Sequence, residues 1–100
     1  MTTYTIENNN KNYKIIIQGH SEYAEKGEDI VCASISTSQY LIIQLAYELD
    51  CLIYHNVVEN LPLVEIAIKK NKIGKRIVNT FDEFMKELKR QFPDYVKEEK

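Results

Sequence analysis

Apolar and polar residues alternate from Tyr13 to Gln18, with Tyr13, Ile15 and Ile17 on one side and Lys14, Ile16 and Gln18 on the other, which predicts a β-strand. A shorter strand pattern at residues 3–7 precedes it, and the polar run Asn8-Asn9-Asn10-Lys11-Asn12 between them predicts a hairpin turn. After a polar segment the period changes, and residues 30–48 read as a helix. Two further strands are predicted at residues 51–58 and 63–69, joined around Asn60-Leu61-Pro62, where proline and asparagine favour a turn. From residue 73 to 91, Ile77, Phe81, Phe84 and Leu88, with Val78, Met85 and Phe92, recur at three and four. They form one stripe of a helix that Pro93 stops. The predicted order ββαββα implies a two-layer α+β fold in one domain, residues 1–100. It would have a mostly antiparallel four-stranded sheet with both helices on one face.

The first helix carries more apolar surface than one sheet face needs. Tyr40-Leu41-Ile42-Ile43 and Leu45-Ala46-Tyr47 make it apolar around most of its circumference, and a homodimer is the simplest partner for the surplus. The alternative is that the last helix and the long strands bury all of it. A hydrophobic share of 44% and a charged share of 28% are those of an ordinary soluble globular domain. The net charge of −2 argues against non-specific nucleic-acid binding, so no direct nucleic-acid partner is expected. The basic run Lys69-Lys70-Asn71-Lys72, continued at Lys75-Arg76, reads most simply as a solvated turn and helix start. No charged and then apolar leader opens the chain at Met1-Thr2-Thr3-Tyr4, and no apolar run is expected to span a membrane. The expected location is the cytoplasm, where Cys32 and Cys51 stay reduced and unbridged.

Chemistry concentrates in the polar segment after the second strand. One of the two histidines, His20, follows Gly19 at the strand end, and one of the two cysteines, Cys32, lies beyond Gly27-Glu28-Asp29-Ile30-Val31. A thiol and an imidazole that can meet are the minimum equipment for nucleophilic catalysis. Asp29 reads as a helix N-cap, which would put Cys32 in the first helical turn, where free amides and the macrodipole favour a thiolate. The carboxylates of Glu28 and Asp29 oppose that, so His20 would have to supply the remaining stabilisation. Free amides at that helix start, including that of Cys32, are the natural oxyanion donors. Asp29 could instead orient His20, but capping would occupy the same carboxylate, and the cap takes precedence.

These residues resemble the ribosomal-processing cysteine proteases called Prp. The family signature reads Gly-His-Ala, a short acidic-aromatic loop, then Gly-x-Asp-hydrophobic-Val-Cys-Ala and a serine four residues past the cysteine. Gly19, His20, Gly27, Asp29, Val31, Cys32, Ala33 and Ser36 stand in that register, while Ser21 and Ser34 depart from it without removing a reactive group. The resemblance implies that Cys32 is the nucleophile and His20 the base, with Asp29 and Ser36 as supporting positions. It also implies a homodimer. The implied activity is removal of an N-terminal extension from the twenty-seventh protein of the bacterial large ribosomal subunit. Phage relatives with the same dyad process scaffold and capsid proteins, which is the alternative substrate class. A non-catalytic module that binds a basic ribosomal segment through its acidic loop is the third reading.

The bland readings stand beside these. A lone cysteine near a helix start is usually a small buried hydrophobe, and a lone histidine at a strand end is usually solvated. Ser36, one turn beyond Cys32, either bonds near the active site or bonds back to the Cys32 carbonyl. Between the dyad residues, Gly19 and Gly27 are candidate hinges and Tyr23 a candidate cover for the site, though an ordinary connection explains the same composition. Cys51 and His55, four apart on a predicted strand, share a face and read as structural. Two ligands do not make a zinc site, so neither metal nor cofactor is expected. The three glycines are too dispersed for a nucleotide-binding fingerprint.

Overall fold

The computed structural model describes residues 1–19, 26–58 and 63–99, with the backbone alone for 26–29. The hairpin forms as its polar turn predicts, between β1 (Thr2–Asn8) and β2 (Asn12–Gln18). At its tip the Asn9 carboxamide oxygen accepts from the amides of Lys11 and Asn12 at 2.9 and 2.8 Å, which closes the turn locally. Then come α1 (Lys26–Glu48), β3 (Leu52–Val58), β4 (Leu63–Lys69) and α2 (Lys72–Gln91).

A seventh element corrects the expected four-stranded ββαββα order. β5 (Val96–Glu98) pairs in parallel with β1, through Thr2 with Val96 and Tyr4 with Glu98, so the sheet has five strands in the order β3-β4-β2-β1-β5. Only Val96 of β5 is buried, and three residues are too few to show an alternating pattern. Tertiary pairing creates this strand, with the Glu99 amide also donating to the Tyr4 carbonyl at 2.8 Å.

Register places Tyr4, Ile15, Ile17, Ile66 and Ile68 on one sheet face, and all five are buried. Val31, Ile35, Ile42 and Ala46 of α1 and Ile77, Val78, Phe81, Met85 and Leu88 of α2 complete the same core, so both helices cover that face. The opposite face carries Lys14 and Glu65, ion-paired at 3.3 Å. α2 starts where the Asn71 side chain accepts from the Gly74 amide at 2.7 Å, and it ends before Pro93 as expected. Gly74 lies so close to the end of β4 that a Cβ there would sit 1.9 Å from the Lys69 carbonyl oxygen.

α1 ends in a Schellman-type turn. The Cys51 amide donates to the Ala46 carbonyl at 2.7 Å and the Asp50 amide to the Tyr47 carbonyl at 3.1 Å. Asp50 takes the left-handed conformation, φ 56°, that glycine usually supplies and aspartate tolerates. The chain thereby reverses into β3, the edge strand opposite β5. A register shift between Leu52 and Tyr54 then puts Leu52, His55 and Val57 on the helix side, opposite Ile68, Ile66 and Val64. That bulge overturns the expected shared face of Cys51 and His55. Cys51 precedes the strand and is buried, its thiol donating to the Leu49 carbonyl, whereas His55 is exposed.

The expectation that no apolar run reaches membrane-spanning length also needs correction. Ile30–Glu48 carries no charge before Glu48 and is long and apolar enough to cross a bilayer. In this fold Val31, Ile35, Ile42 and Ala46 from that segment are packed on the sheet.

Candidate active site

Cys32 is a free thiol on the side of α1 that faces the ends of β2 and β3, and it is half-buried. It opens into a cavity of about 320 Å³ whose wall includes Gly19, Ser36 and Thr2 as polar or small positions. Ile17, Ile35 and Val57 supply apolar wall. Strand ends from β1, β2, β3 and β4 therefore converge on one face of α1.

Gly19 explains how the chain leaves β2 at this point. Its φ is +100°, a conformation that side-chain-bearing residues rarely adopt, and a Cβ built there would lie 2.5 Å from the Met1 carbonyl oxygen. Glycine both permits the turn and lets the start of the chain pack against it. The backbone that continues to His20 therefore departs from the wall of the Cys32 cavity. His20 and Tyr23 themselves lie outside the described residues.

Three local expectations change. α1 begins at Lys26, four residues before the predicted start, so the backbone of Asp29 is the helix's fourth residue and Asp29 is not the N-cap. Gly27 is likewise the second residue of the helix and not a loop hinge. Cys32 is the seventh residue and not in the first turn, so its amide belongs to the intrahelical ladder and is not one of the free donors. The segment Lys26-Gly27-Glu28-Asp29 holds three charges and a glycine, with no apolar period to announce a helix, which is why its local composition resembled a loop. The side chains of residues 26–29 lie outside the described ones.

Ser36, one turn on from Cys32, lies on the cavity wall. Sequence reasoning missed Thr2, Gln39, Val57 and Val64, which also line it. They come from four elements, and only strand order brings them together. Among the described residues no cluster of three or more metal-ligating side chains occurs.

The profile of the family described as Cysteine protease Prp matches residues 1–97. No curated protein sequence matches the chain. Among solved structures, the chain is similar to an essential ribosomal processing protease Prp from S. aureus in complex with a substrate peptide. Identity is 19% and the TM-score 0.84, with 99% of this chain and 98% of that one covered. The same S. aureus protease with a covalently linked product peptide matches at 21% identity and TM-score 0.80, covering 98% and 97%. SMU.848 from Streptococcus mutans matches at 22% identity and TM-score 0.86, covering 99% and 96%.

Proposed function

Because the chain belongs to the Prp family of cysteine proteases, we propose that it removes the N-terminal extension of the twenty-seventh bacterial large-subunit ribosomal protein, with Cys32 as nucleophile and His20 as base. The observation that carries this reading is the half-buried Cys32 thiol on the wall of a mostly apolar cavity that Gly19, the residue bonded to His20, also lines. A structural cysteine would be sealed in the core, as Cys51 is at 1% exposure. The ribosomal substrate is supported by the S. aureus relative, a ribosomal processing protease whose structures hold substrate and product peptides.

In this mechanism His20 takes the thiol proton and the Cys32 sulfur attacks the scissile carbonyl carbon. As the C–N bond breaks, the imidazolium returns the proton to the departing amine, leaving a thioester on Cys32. Water, deprotonated by His20, then hydrolyses the thioester and restores the thiol. Ser36 borders the substrate position. A cytoplasmic location suits this chemistry, since the reactive thiol must stay reduced.

The working form on this reading is a homodimer. Ile30, Leu41 and Leu45 fall on one outward row of α1 and are 47%, 65% and 42% exposed, an apolar strip turned away from the core. A second copy would cover it without closing the Cys32 cavity.

The test is mass spectrometry of a peptide carrying the ribosomal extension after incubation with wild-type, Cys32→Ala and His20→Ala protein. A single defined cut is expected with the wild type, falling on the order of 10³-fold or more in each folded variant. Cleavage by Cys32→Ala at the wild-type rate would refute the nucleophile assignment, and an intact peptide with the wild type would refute the substrate.

A further inference from the structure

The Cys32 cavity is the first of three that run end to end between α1 and β3. The second, about 340 Å³, shares Ser36, Gln39 and Val57 with the first, and the third, about 250 Å³, shares Ile43, Gln44 and His55 with the second. On the α1 side the channel follows one helical row, since Cys32, Ser36, Gln39 and Ile43 recur at four, three and four residues. Eleven residues of helix rise about 16 Å. An extended chain covers that distance with about five residues at roughly 3.3 Å each.

The other wall is β3, which among the described residues pairs only with β4 and so presents one backbone edge unpaired. Its residues 53–57 are all exposed, and the bulge has turned His55 and Val57 toward the channel. Tyr40, 75% exposed, overhangs the same trough from α1. An unpaired edge beside an apolar trough is the surface on which an extended peptide adds as a further strand, main-chain bonds holding it and alternate side chains filling pockets.

We propose that this channel binds about five residues of the polypeptide substrate as a strand paired to the free edge of β3. Alternate side chains, apolar ones, turn under α1, and the strand's end delivers the scissile bond to Cys32. The proposal rests on the peptidase reading above. The occupant is the substrate and not a second copy because the channel ends at the reactive thiol, so whatever fills it lays backbone against Cys32. The strip of Ile30, Leu41 and Leu45 remains open for a second copy.

Strand addition is tested with wild-type protein and a set of substrate peptides, each N-methylated at one backbone amide in the five-residue run. Losing one main-chain hydrogen bond lowers kcat/KM by about tenfold. The loss should recur at every second position, while methylation at the intervening positions has little effect. Tyr40→Asp should also lower the ratio of kcat/KM for the long peptide to that for a short blocked ester that reaches only the Cys32 cavity. If neither substrate is cleaved, the peptidase reading itself fails. If both are cleaved but methylation shows no two-residue period, the strand proposal is overturned. It is overturned equally if Tyr40→Asp splits a dimer and leaves the ratio unmoved, since the channel would then belong to the second copy.

Discussion

Replacing Gly19 with alanine tests whether the backbone at the end of β2 sets the active site. At φ +100° an alanine occupies a sparsely populated region, which costs about 1–3 kcal/mol. The new Cβ would also lie 2.5 Å from the Met1 carbonyl oxygen, a backbone atom that cannot rotate aside. Met1 is bonded to Thr2, whose amide donates to the Tyr95 carbonyl at 2.9 Å and which pairs with Val96 of β5, so yielding at Met1 pulls on two strands. The clash therefore moves the expected cost toward the upper end, about 3 kcal/mol. For a domain of this size each kcal/mol lowers Tm by about 4–8 °C, giving a drop of at least about 12 °C by circular dichroism. Activity should fall further than stability explains. With His20 as the proposed base, displacing it by about 1 Å relative to the Cys32 thiol costs on the order of 10²-fold in rate, measured as kcat/KM at a temperature where the variant is folded. Asn71→Ala is the control. It removes the α2 cap on Gly74 at the other end of β4, should cost about 1 kcal/mol, and should leave kcat/KM near wild type. A Gly19→Ala protein with unchanged Tm and unchanged kcat/KM would refute the reasoning.

The remaining predictions concern the core and the assembly. Tyr4 is 1% exposed and its hydroxyl has no hydrogen-bond partner among the described residues, so Tyr4→Phe should raise stability by about 1 kcal/mol in a neutral-pH denaturant melt; a loss of stability would show the hydroxyl to be satisfied. Burial, then Glu98 and Asp82, push that hydroxyl up to about 12 from its ordinary value near 10. Its neutral form is thus favoured in the folded state, so its titration takes nothing from stability below pH 10 and lowers stability as pH rises from 10 to 12. Wild type should melt progressively lower across that window than Tyr4→Phe, and parallel pH profiles would count against the assignment. Leu41→Lys on the outward row of α1 should shift light-scattering mass from twice 11.7 kDa toward the monomer with little change in circular dichroism. A wild-type protein that is already monomeric at micromolar concentration would remove the dimer from the picture.

The parts of this molecule that were legible in the sequence are those whose pattern is repeated within one element. The stripe of α2 predicted its buried residues, because Ile77, Phe81, Met85 and Leu88 each report the same helix face and each is found in the core. Alternation along β2 worked for the same reason, with Ile15 and Ile17 buried and Gln18 exposed. Failures occurred where one long-range contact outweighs local composition. β5 exists through its pairing with β1, the start of α1 extends through a charged segment with no apolar period, and one bulge in β3 reverses the phase on which the Cys51–His55 comparison depended.

The candidate site divides along the same line. The register of Gly19, His20, Gly27, Asp29 and Cys32, through its resemblance to the Prp signature, singled out Cys32 as the proposed nucleophile. The walls around it have no such register. Thr2, Ile17, Val57 and Val64 meet only because β2 lies between β1 and β4 while β3 adds outside β4, an order that crossover connections set and that no single strand encodes. On the proposed reading, a sequence motif of this kind specifies the reacting atoms, which must be exact in identity. The proposed substrate surface is instead specified by sheet order, and on that reading apolar residues of similar shape can exchange there without disturbing Cys32. The chain's divergence from structures of the same fold, at 19–22% identity, is compatible with that division. Specificity should accordingly respond to substitutions on β3 and along the Ser36–Gln39–Ile43 row, whereas loss of Cys32 should abolish cleavage of every substrate alike.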